Sequence, residues 1–319
     1  MSTRMSATPM ARPLTLVRAA EIVDPAPAMP AWLVEPLWGR GAVGVIGGAP
    51  KSCKSWLALE LAVAVASGRP CLGRFAVPAP GPVMLYAAED APLHVRDRLE
   101  HLCQARGARF DTLDVHVIVE NSLRIDRAED VARLRHTLDR RRPRLLILDP
   151  YVRLQRADEN NTTEVAAILA TLRMLSRDFG VALLLVHHAR KSSSESAGQG
   201  LRGSSDFHAW GDSNLYLRRR PRDIVLTVEH RAAAAPPHLT LALAENPPRL
   251  ELSDSEHSDR PATALEQRLL AALASGPRRL AELRTEVSAR KESVVAALHR
   301  LEAAGAAARH ADGWALMQR

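Results

Sequence analysis

The stretch Gly47-Gly48-Ala49-Pro50-Lys51-Ser52-Cys53-Lys54-Ser55 decides how this sequence folds. It follows an apolar run, which predicts a buried strand, and it opens an amphipathic run, which predicts a helix. Backbone N–H groups and the positive end of the helix dipole converge on such a turn, so the turn stabilises a polyphosphate. We expect Lys54 to contact the β- and γ-phosphates of ATP and Ser55 to ligate Mg²⁺. The predicted nucleotide-binding residues are Gly48, Ala49, Pro50, Lys51, Ser52, Cys53, Lys54, Ser55 and Trp56.

Cys53 departs from the usual pattern, in which a glycine precedes the lysine. A Cβ atom at this position limits positive φ and limits how closely the backbone approaches a phosphate. Two interpretations follow: either the loop binds nucleotide and supports hydrolysis, or it is degenerate and binds nucleotide weakly or not at all. The thiol also predicts that alkylation of Cys53 blocks nucleotide binding.

Acidic residues end two later apolar runs. Asp149 ends the run Arg144-Leu145-Leu146-Ile147-Leu148-Asp149, which predicts a buried strand whose carboxylate binds Mg²⁺ through its water shell. Glu89 lies in Tyr86-Ala87-Ala88-Glu89-Asp90, after the run that follows the first helix, where a carboxylate can orient the attacking water. The alternative interpretation of this second stretch is an acidic pair that caps a helix.

His187 and His188 end the last apolar run of this series. A polar group at this point can contact the γ-phosphate and pass its presence to the adjoining Ser/Gly-rich segment, Lys191 to Ser205. A capped strand end and a metal site are the alternatives. Because no third ligand lies at a suitable spacing, Mg²⁺ is the one metal that we expect.

Short apolar runs alternate with amphipathic stretches from Val43 onward, which is typical of a sheet covered by helices on both faces. We predict an α/β fold with a mainly parallel central sheet and an antiparallel extension. The predicted strands are Val43 to Gly47, Val83 to Ala88, Val115 to Val119, Leu145 to Asp149, Val181 to His187, Asn214 to Leu217, Ile224 to Val228 and Leu239 to Leu243. The predicted helices between them are Lys54 to Ser67, Pro92 to Arg106, Ala128 to Arg140 and Thr163 to Phe179.

Composition divides the chain into four segments. Residues 1–35 are rich in proline and predict an N-terminal arm, and residues 36–252 carry the α/β pattern. Residues 253–261 have the composition of a linker. Residues 262–319 predict three short helices and a small hairpin, which is the pattern of a winged helix.

The predicted winged helix is basic, with eight Arg and one Lys against five Glu and one Asp. Its third helix nevertheless opposes two cations with two glutamates, which is a poor match to DNA phosphates. The segment therefore predicts either DNA binding or docking of a protein partner. The first DNA contacts to test are Arg278, Arg279, Arg290 and Arg309.

Composition also excludes several classes of protein. With 46% hydrophobic and 25% charged residues among 319, the chain has the balance of a soluble globular protein, which excludes wholesale disorder. No apolar run is long enough to cross a bilayer, and the three cysteines form no C-x-x-C pair. We expect a cytoplasmic protein with reduced thiols and no membrane contact. The net charge of +7 favours encounters with polyanions such as nucleic acid.

Six motifs occur in order: Gly47 to Ser55, Tyr86 to Asp90, Leu145 to Asp149, Asp158 to Asn161, Val186 to Lys191 and Leu201 to Ser205. Together they resemble the RecA-type ATPases related to the hexameric plasmid RepA replicative helicases, and more distantly DnaB and KaiC. The resemblance covers about residues 36–250. It implies a RecA-like ATPase domain that binds ATP and Mg²⁺, assembles with itself as a hexameric ring and acts on DNA.

The resemblance also implies roles for the matching residues. Lys54 matches the phosphate-binding lysine, and Ser55 and Asp149 match the two metal ligands. Glu89 matches the catalytic glutamate, and His188 matches the polar sensor. A neighbouring subunit supplies an arginine in such assemblies, and the candidates here are Arg202 and Arg231. The segment Lys191 to Ser205 matches the one that faces DNA in the channel of RecA-like rings, and an ordinary solvent loop is the alternative.

Two hypotheses of function follow. The first is an ATP-hydrolysing, helicase-like motor or switch that oligomerises and acts on DNA in replication, repair or mobile-element biology. The second is a weakly hydrolysing or non-hydrolysing, nucleotide-gated adaptor that recruits DNA or a protein partner through the winged helix. A metabolic P-loop kinase is disfavoured because no lid for an acceptor substrate is apparent.

Overall fold

The computed structural model describes residues 15–23, 29, 31–120, 122–155, 162–188, 205–220, 223–253, 264–303, 306–310 and 313–317. The chain divides into two compact units, Met1–Glu251 and Leu252–Arg319. Each unit has its own cluster of buried apolar side chains. The predicted motif Asp158 to Asn161 lies wholly outside the described residues, and the motif Leu201 to Ser205 lies outside them except for Ser205. The segment Lys191 to Ser205 likewise lies outside them except for Ser205.

The first unit is built on a nine-stranded sheet and a two-stranded ribbon. Its strands are β1 Trp32–Val34, β2 Trp38–Gly39, β3 Val43–Gly48, β4 Val83–Ala87, β5 Val115–Val117, β6 Leu145–Asp149, β7 Ala182–His188, β8 Ser213–Arg219, β9 Ile224–His230, β10 Leu239–Glu245 and β11 Pro248–Leu252. Strands β1 and β2 form the ribbon, and the order across the large sheet is β11-β10-β9-β8-β3-β7-β6-β4-β5. The strands from β8 to β5 in this order run parallel, and β9 pairs antiparallel with both β8 and β10.

The helices of this unit are α1 Lys54–Ser67, α2 Pro92–Arg106, α3 Ala128–Arg141, α4 Thr162–Phe179 and α5 Ser205–Trp210. Helix α1 is apolar almost throughout and is buried along most of its length. It ends where Gly68 adopts a φ of 72° and donates its N–H to the Ala64 carbonyl, a conformation that glycine adopts without steric cost. No helix of the described residues combines the length and apolar character that a membrane span needs.

The central strands are apolar on both faces because helices cover both sides of a parallel sheet. Every residue of β6 is buried, as are all residues of β7 except the last. Gly44 lets β3 lie between β7 and β8, because a Cβ atom there would approach the Ser213 carbonyl oxygen to 1.7 Å. The absence of that atom at Gly44 therefore positions β8 beside the strand that leads into the phosphate loop.

The predicted α/β class, with a mainly parallel sheet and an antiparallel extension, is confirmed. The extension begins with β9, because β8 itself runs parallel to β3 after a long crossover that includes α5. Strand β5 ends at Val117 instead of Val119, and β11 was not predicted as a separate strand. In the predicted N-terminal arm, Leu33 is buried, as are Leu37 and Trp38 of the adjoining turn and strand β2.

The second unit contains α6 Ala264–Leu273, α7 Leu280–Glu286, α8 Lys291–Ala303, β12 Ala307–His310 and β13 Gly313–Leu316. Strands β12 and β13 pair antiparallel, and Arg278 exchanges two backbone hydrogen bonds of 2.8 Å with Trp314. A third extended segment thus joins the edge of the hairpin. The core of the unit packs Leu269, Leu283, Leu298 and Trp314 together. Three helices followed by a hairpin agree with the predicted pattern, while the winged-helix assignment and the four domain boundaries stay predictions.

Candidate active site

A pocket of about 300 Å³ lies where β3, β4, β6 and β7 end, at the carboxyl edge of the parallel strands. Open α/β sheets bind their ligands in the crevice at this edge. The lining residues are Lys51, Ser52, Cys53, Lys54, Ser55, Trp56, Ala87, Glu89, Asp90, Arg98, Asp149 and His188. The fold therefore brings together side chains from four of the predicted motifs.

The phosphate loop is formed despite the missing glycine. Cys53 adopts a φ of 66° and Lys51 a φ of 62°, both in the left-handed region that glycine favours. For a residue with a Cβ atom this conformation costs about 1 kcal/mol, which the surrounding contacts of a folded domain can outweigh. Cys53 directly precedes α1, so the turn delivers the chain into the helix as the sequence pattern predicts.

Lys54 folds back over this loop. Its Nζ donates to the Gly48 carbonyl at 2.9 Å and to the Ala49 carbonyl at 2.7 Å. Burial lowers the pKa of Lys54 to about 8, because an ammonium is less stable away from water. Gly48 and Ala49 thus hold the lysine through their carbonyls, and together with Pro50 they are predicted binding residues that do not line the pocket.

Two polar atoms at the pocket fit an anionic ligand. Ser52 is fully buried, and its Oγ has no hydrogen-bond partner among the described residues. The Nδ1 atom of His188 is likewise buried and unpartnered within that part of the chain. Since buried polar groups are normally hydrogen-bonded, both atoms mark places where phosphate oxygens can be bound.

Ser55 and Asp149 form the predicted metal pair. The Ser55 hydroxyl donates to the Asp149 carboxylate, which links the start of α1 to the end of β6. Burial raises the pKa of Asp149 to about 6, and the Ser55 hydrogen bond opposes that rise. The described residues hold no cluster of three His, Cys, Asp or Glu side chains able to bind a metal. The pair fits a Mg²⁺ ion that takes its other ligands from phosphates and water.

Glu89 lies in the pocket and is already paired. Its Oε1 accepts a hydrogen bond of 2.9 Å from Nε of Arg153, and both side chains are exposed. Arg153 belongs to the 3-10 turn Tyr151–Leu154, which follows β6. No sequence signal indicates this contact, because it joins two segments that meet only in the folded sheet.

The two histidines at the end of β7 have different surroundings. His188 lines the pocket, and burial lowers its pKa. His187 points into the core, where its ring stacks on Phe207 with centroids 4.3 Å apart and packs against the edge of Tyr151. The strand thus presents one histidine to the pocket and the other to a buried aromatic cluster that includes α5.

His187 predicts a loss of stability in acid. Burial lowers its pKa to about 4, with smaller contributions from the positive charges of His188 and Lys54. Between pH 6.5 and about pH 4, His187 is protonated in the unfolded chain but stays neutral in the folded chain. The free energy of unfolding therefore falls as the pH drops below 6.5, the pKa of His187 in the unfolded chain. Relative to His187→Phe, the wild type should lose about 2 kcal/mol of unfolding free energy between about pH 7 and about pH 5. Urea unfolding of both proteins measures this, and parallel pH profiles would contradict it.

Arg202 and Arg231 are the two candidates for the arginine that a neighbouring subunit supplies, and the structure describes Arg231. This residue follows β9 at the amino edge of the parallel strands, opposite the pocket, where it forms an ion pair of 3.2 Å with Asp212. Arg202 lies outside the described residues. Arg231 therefore does not line the pocket of its own chain, and its contact with a neighbouring subunit stays a prediction.

Sequence reasoning missed several residues of the site. Asp90 and Arg98 line the pocket, and Arg219 donates to the Lys51 carbonyl at 3.1 Å. Asp90 follows Glu89 directly, which is a signal that could have been used. Arg219 lies at the end of β8, and nothing in its sequence surroundings pointed to the phosphate loop.

Comparison with known proteins agrees with this geometry. Residues 7–194 match the family described as AAA domain. A solved ATPase domain is similar in structure, with a TM-score of 0.51, 15% identity and coverage of 65% of this chain and 82% of its own. The RadB recombinase is similar with a TM-score of 0.50, 16% identity and coverage of 67% of this chain and 92% of its own. No curated protein matches the sequence. With more than half of its length matched, the chain belongs to the AAA domain family and has the fold of the RecA-type P-loop ATPases.

Proposed function

We propose that this protein binds ATP with Mg²⁺ in the pocket and hydrolyses it. The supporting observation is that Lys54, the Ser55–Asp149 pair, Glu89 and His188 converge on one cavity. The unpartnered atoms of Ser52 and His188 give that cavity places for phosphate oxygens. A strand with a polar end would explain Asp149 or His188 alone, but not the convergence of all these residues.

Each side chain has a distinct role in the proposed reaction. Lys54 neutralises charge on the β- and γ-phosphates. Ser55 and Asp149 would hold Mg²⁺, which would supply electrostatic stabilisation of the transferring phosphoryl group. Glu89 orients the attacking water and accepts its proton. His188 hydrogen-bonds a γ-phosphate oxygen and is predicted to signal its presence to the segment that follows β7.

We further propose that the protein assembles with itself into a hexameric ring and acts on DNA in a helicase-like manner. Support comes from the net charge of +7, which favours contact with nucleic acid, and from the resemblance of the ordered motifs to the hexameric RepA helicases. The second unit is proposed to be a winged helix that contacts DNA or a protein partner through Arg278, Arg279, Arg290 and Arg309. Arg202 or Arg231 would complete the site of a neighbouring subunit. The proposed location is the cytoplasm.

A second candidate function is a nucleotide-gated adaptor that hydrolyses slowly or not at all. Two observations favour it: Cys53 replaces the usual glycine, and Glu89 is engaged by Arg153. In this case nucleotide binding controls recruitment of DNA or a protein through the second unit. Deleting that unit would then abolish partner binding and leave ATP affinity unchanged.

One experiment separates the two functions. ATPase rates of the purified full-length protein are measured with and without single-stranded DNA, and the mass of the assembly is determined with bound nucleotide. The motor predicts an oligomer whose hydrolysis rises on adding DNA, whereas the adaptor predicts tight ATP binding with negligible turnover. Absence of ATP binding would overturn both.

Cys53 predicts a defined chemical sensitivity. Burial raises the pKa of its thiol, so little thiolate is present at neutral pH and alkylation by iodoacetamide should be slow. Once alkylated, the loop should lose its affinity for ATP, because the added group lies within the pocket. Cys53→Gly should bind ATP and resist the reagent. Binding of a fluorescent ATP analogue, with mass spectrometry of the modified cysteine, measures both effects, and ATP binding that survives complete alkylation would contradict the prediction.

A further inference from the structure

Trp56 and Arg98 line the pocket, yet the proposed reaction gives neither a task. We propose that these two side chains form the subsite for the nucleobase, so that the ligand is a nucleoside triphosphate with a planar base stacked on them. The inference rests on the proposed ATPase function and adds the part of the site that distinguishes a nucleotide from a bare polyphosphate. Trp56 is one of the predicted nucleotide-binding residues, but no part of the nucleotide has been assigned to it.

The position of Trp56 in α1 supports this assignment. It directly follows Ser55, in the first turn of the helix whose N–H groups would hold the phosphates in the proposed function. In the proposed function Lys54 contacts the β- and γ-phosphates, so the nucleoside would lie on the α-phosphate side of the site. A side chain that follows the phosphate-binding residues and lines the same cavity is placed to meet the nucleoside.

Trp56 also differs from the rest of its helix. The segment Leu57–Val65 is buried, whereas Trp56 is only partly buried and belongs to the pocket wall. Among the described residues that line the pocket it is the one large apolar ring. An indole that keeps part of its surface out of the core retains a face on which another ring can stack.

Arg98 extends this surface with a second planar group. Its guanidinium carbon lies 5.5 Å from the centroid of the Trp56 ring, in a cation–π contact between α2 and α1. Asp90 holds Arg98 through an ion pair of 2.7 Å, in which both side chains are only 29% exposed. Two contacts therefore hold the guanidinium in place, one with the Trp56 ring and one with the Asp90 carboxylate. Nucleobases stack both on aromatic side chains and on the plane of an arginine.

This arrangement makes a specific prediction about ligand preference. The phosphate loop alone binds inorganic tripolyphosphate, while the stacked pair adds affinity only for a ligand that carries a base. The wild type should therefore bind ATP about tenfold or more tightly than tripolyphosphate. Loss of the ring should remove this preference and leave the affinity for tripolyphosphate unchanged.

The test is calorimetric titration of the full-length protein with ATP and with tripolyphosphate, each in the presence of Mg²⁺. Trp56→Ala should weaken ATP binding about tenfold with unchanged tripolyphosphate binding, and Trp56→Phe, which keeps a stacking face, should retain most of the preference. Arg98→Lys keeps the charge opposite Asp90 but removes the plane, so it should reduce the preference in part. Circular dichroism checks that each variant is folded.

The outcomes separate the subsite from the function. ATP affinity that is unchanged in Trp56→Ala, or a loss that is equal for both ligands, would overturn the base subsite and leave the proposed ATPase standing. A wild type that binds tripolyphosphate as tightly as ATP would also overturn it. Failure of the wild type to bind either ligand would overturn the ATPase proposal and the subsite together.

Discussion

Replacing Glu89 with glutamine is expected to lower ATP turnover by about 10² to 10⁴-fold, while the Kd for ATP changes by no more than about twofold. Glutamine keeps the size and hydrogen-bonding shape of glutamate but cannot accept the proton of the attacking water. Because Arg153 donates to the same carboxylate, the substitution also loosens that contact. An exposed pair of this kind contributes little to stability, so the fold should be unaffected.

Steady-state hydrolysis and ATP titration measure the two parts of this prediction. Glu120→Gln is the matched control, because Glu120 is an exposed glutamate that pairs with Arg133 and does not line the pocket. It should hydrolyse ATP at the wild-type rate. If Glu89→Gln turned over as fast as this control, Glu89 would not be the residue that activates water.

Replacing Lys54 with methionine is expected to weaken ATP binding by about a hundredfold or more, since hydrogen bonds between charged groups contribute about 1.5 to 3 kcal/mol each. Methionine has a similar aliphatic length but no charge, so the loss reports the ammonium and not the packing. Lys54 is 4% exposed in the folded chain, and its contacts with the Gly48 and Ala49 carbonyls would also be lost.

The measurement is ATP affinity together with urea unfolding of the same variant. Unfolding free energy close to that of the wild type, combined with the loss of affinity, would assign the effect to the phosphate contact. Wild-type affinity in Lys54→Met would mean that the triphosphate is bound at another place, and the proposed function would fall with it.

The fold could be predicted from the sequence because its main signals are local. Continuous apolar runs such as the one that ends at Asp149 predict buried parallel strands, and an amphipathic segment such as α3 predicts a covering helix. Helix α1 is apolar almost throughout and lacks this pattern. The direction of β8 was not predictable in this way. Its parallel pairing with β3 depends on the crossover that precedes it and on the close approach at Gly44, neither of which leaves a periodic signal.

The residues of the candidate site likewise include some that the sequence predicted and some that it did not. Lys54, Asp149 and Glu89 end or follow strands, so the rule that parallel strands share a carboxyl edge brings them together. The Arg153 and Arg98 contacts involve side chains of segments that are distant in sequence, and their partners become neighbours only in the folded sheet. The positive φ of Cys53 was indicated by the loop pattern, which has a glycine at this position, and not by the cysteine itself.

Arg231 lies at one edge of the sheet and the phosphate loop lies at the other. If Arg231 serves a second molecule, the two molecules join through unlike surfaces, which is a heterologous contact. Two copies cannot satisfy each other in this way, since one arginine and one pocket are left over at the ends. Such a contact propagates head to tail until it closes on itself or continues as a helical filament, so the rotation between neighbouring copies would decide the symmetry of the assembly.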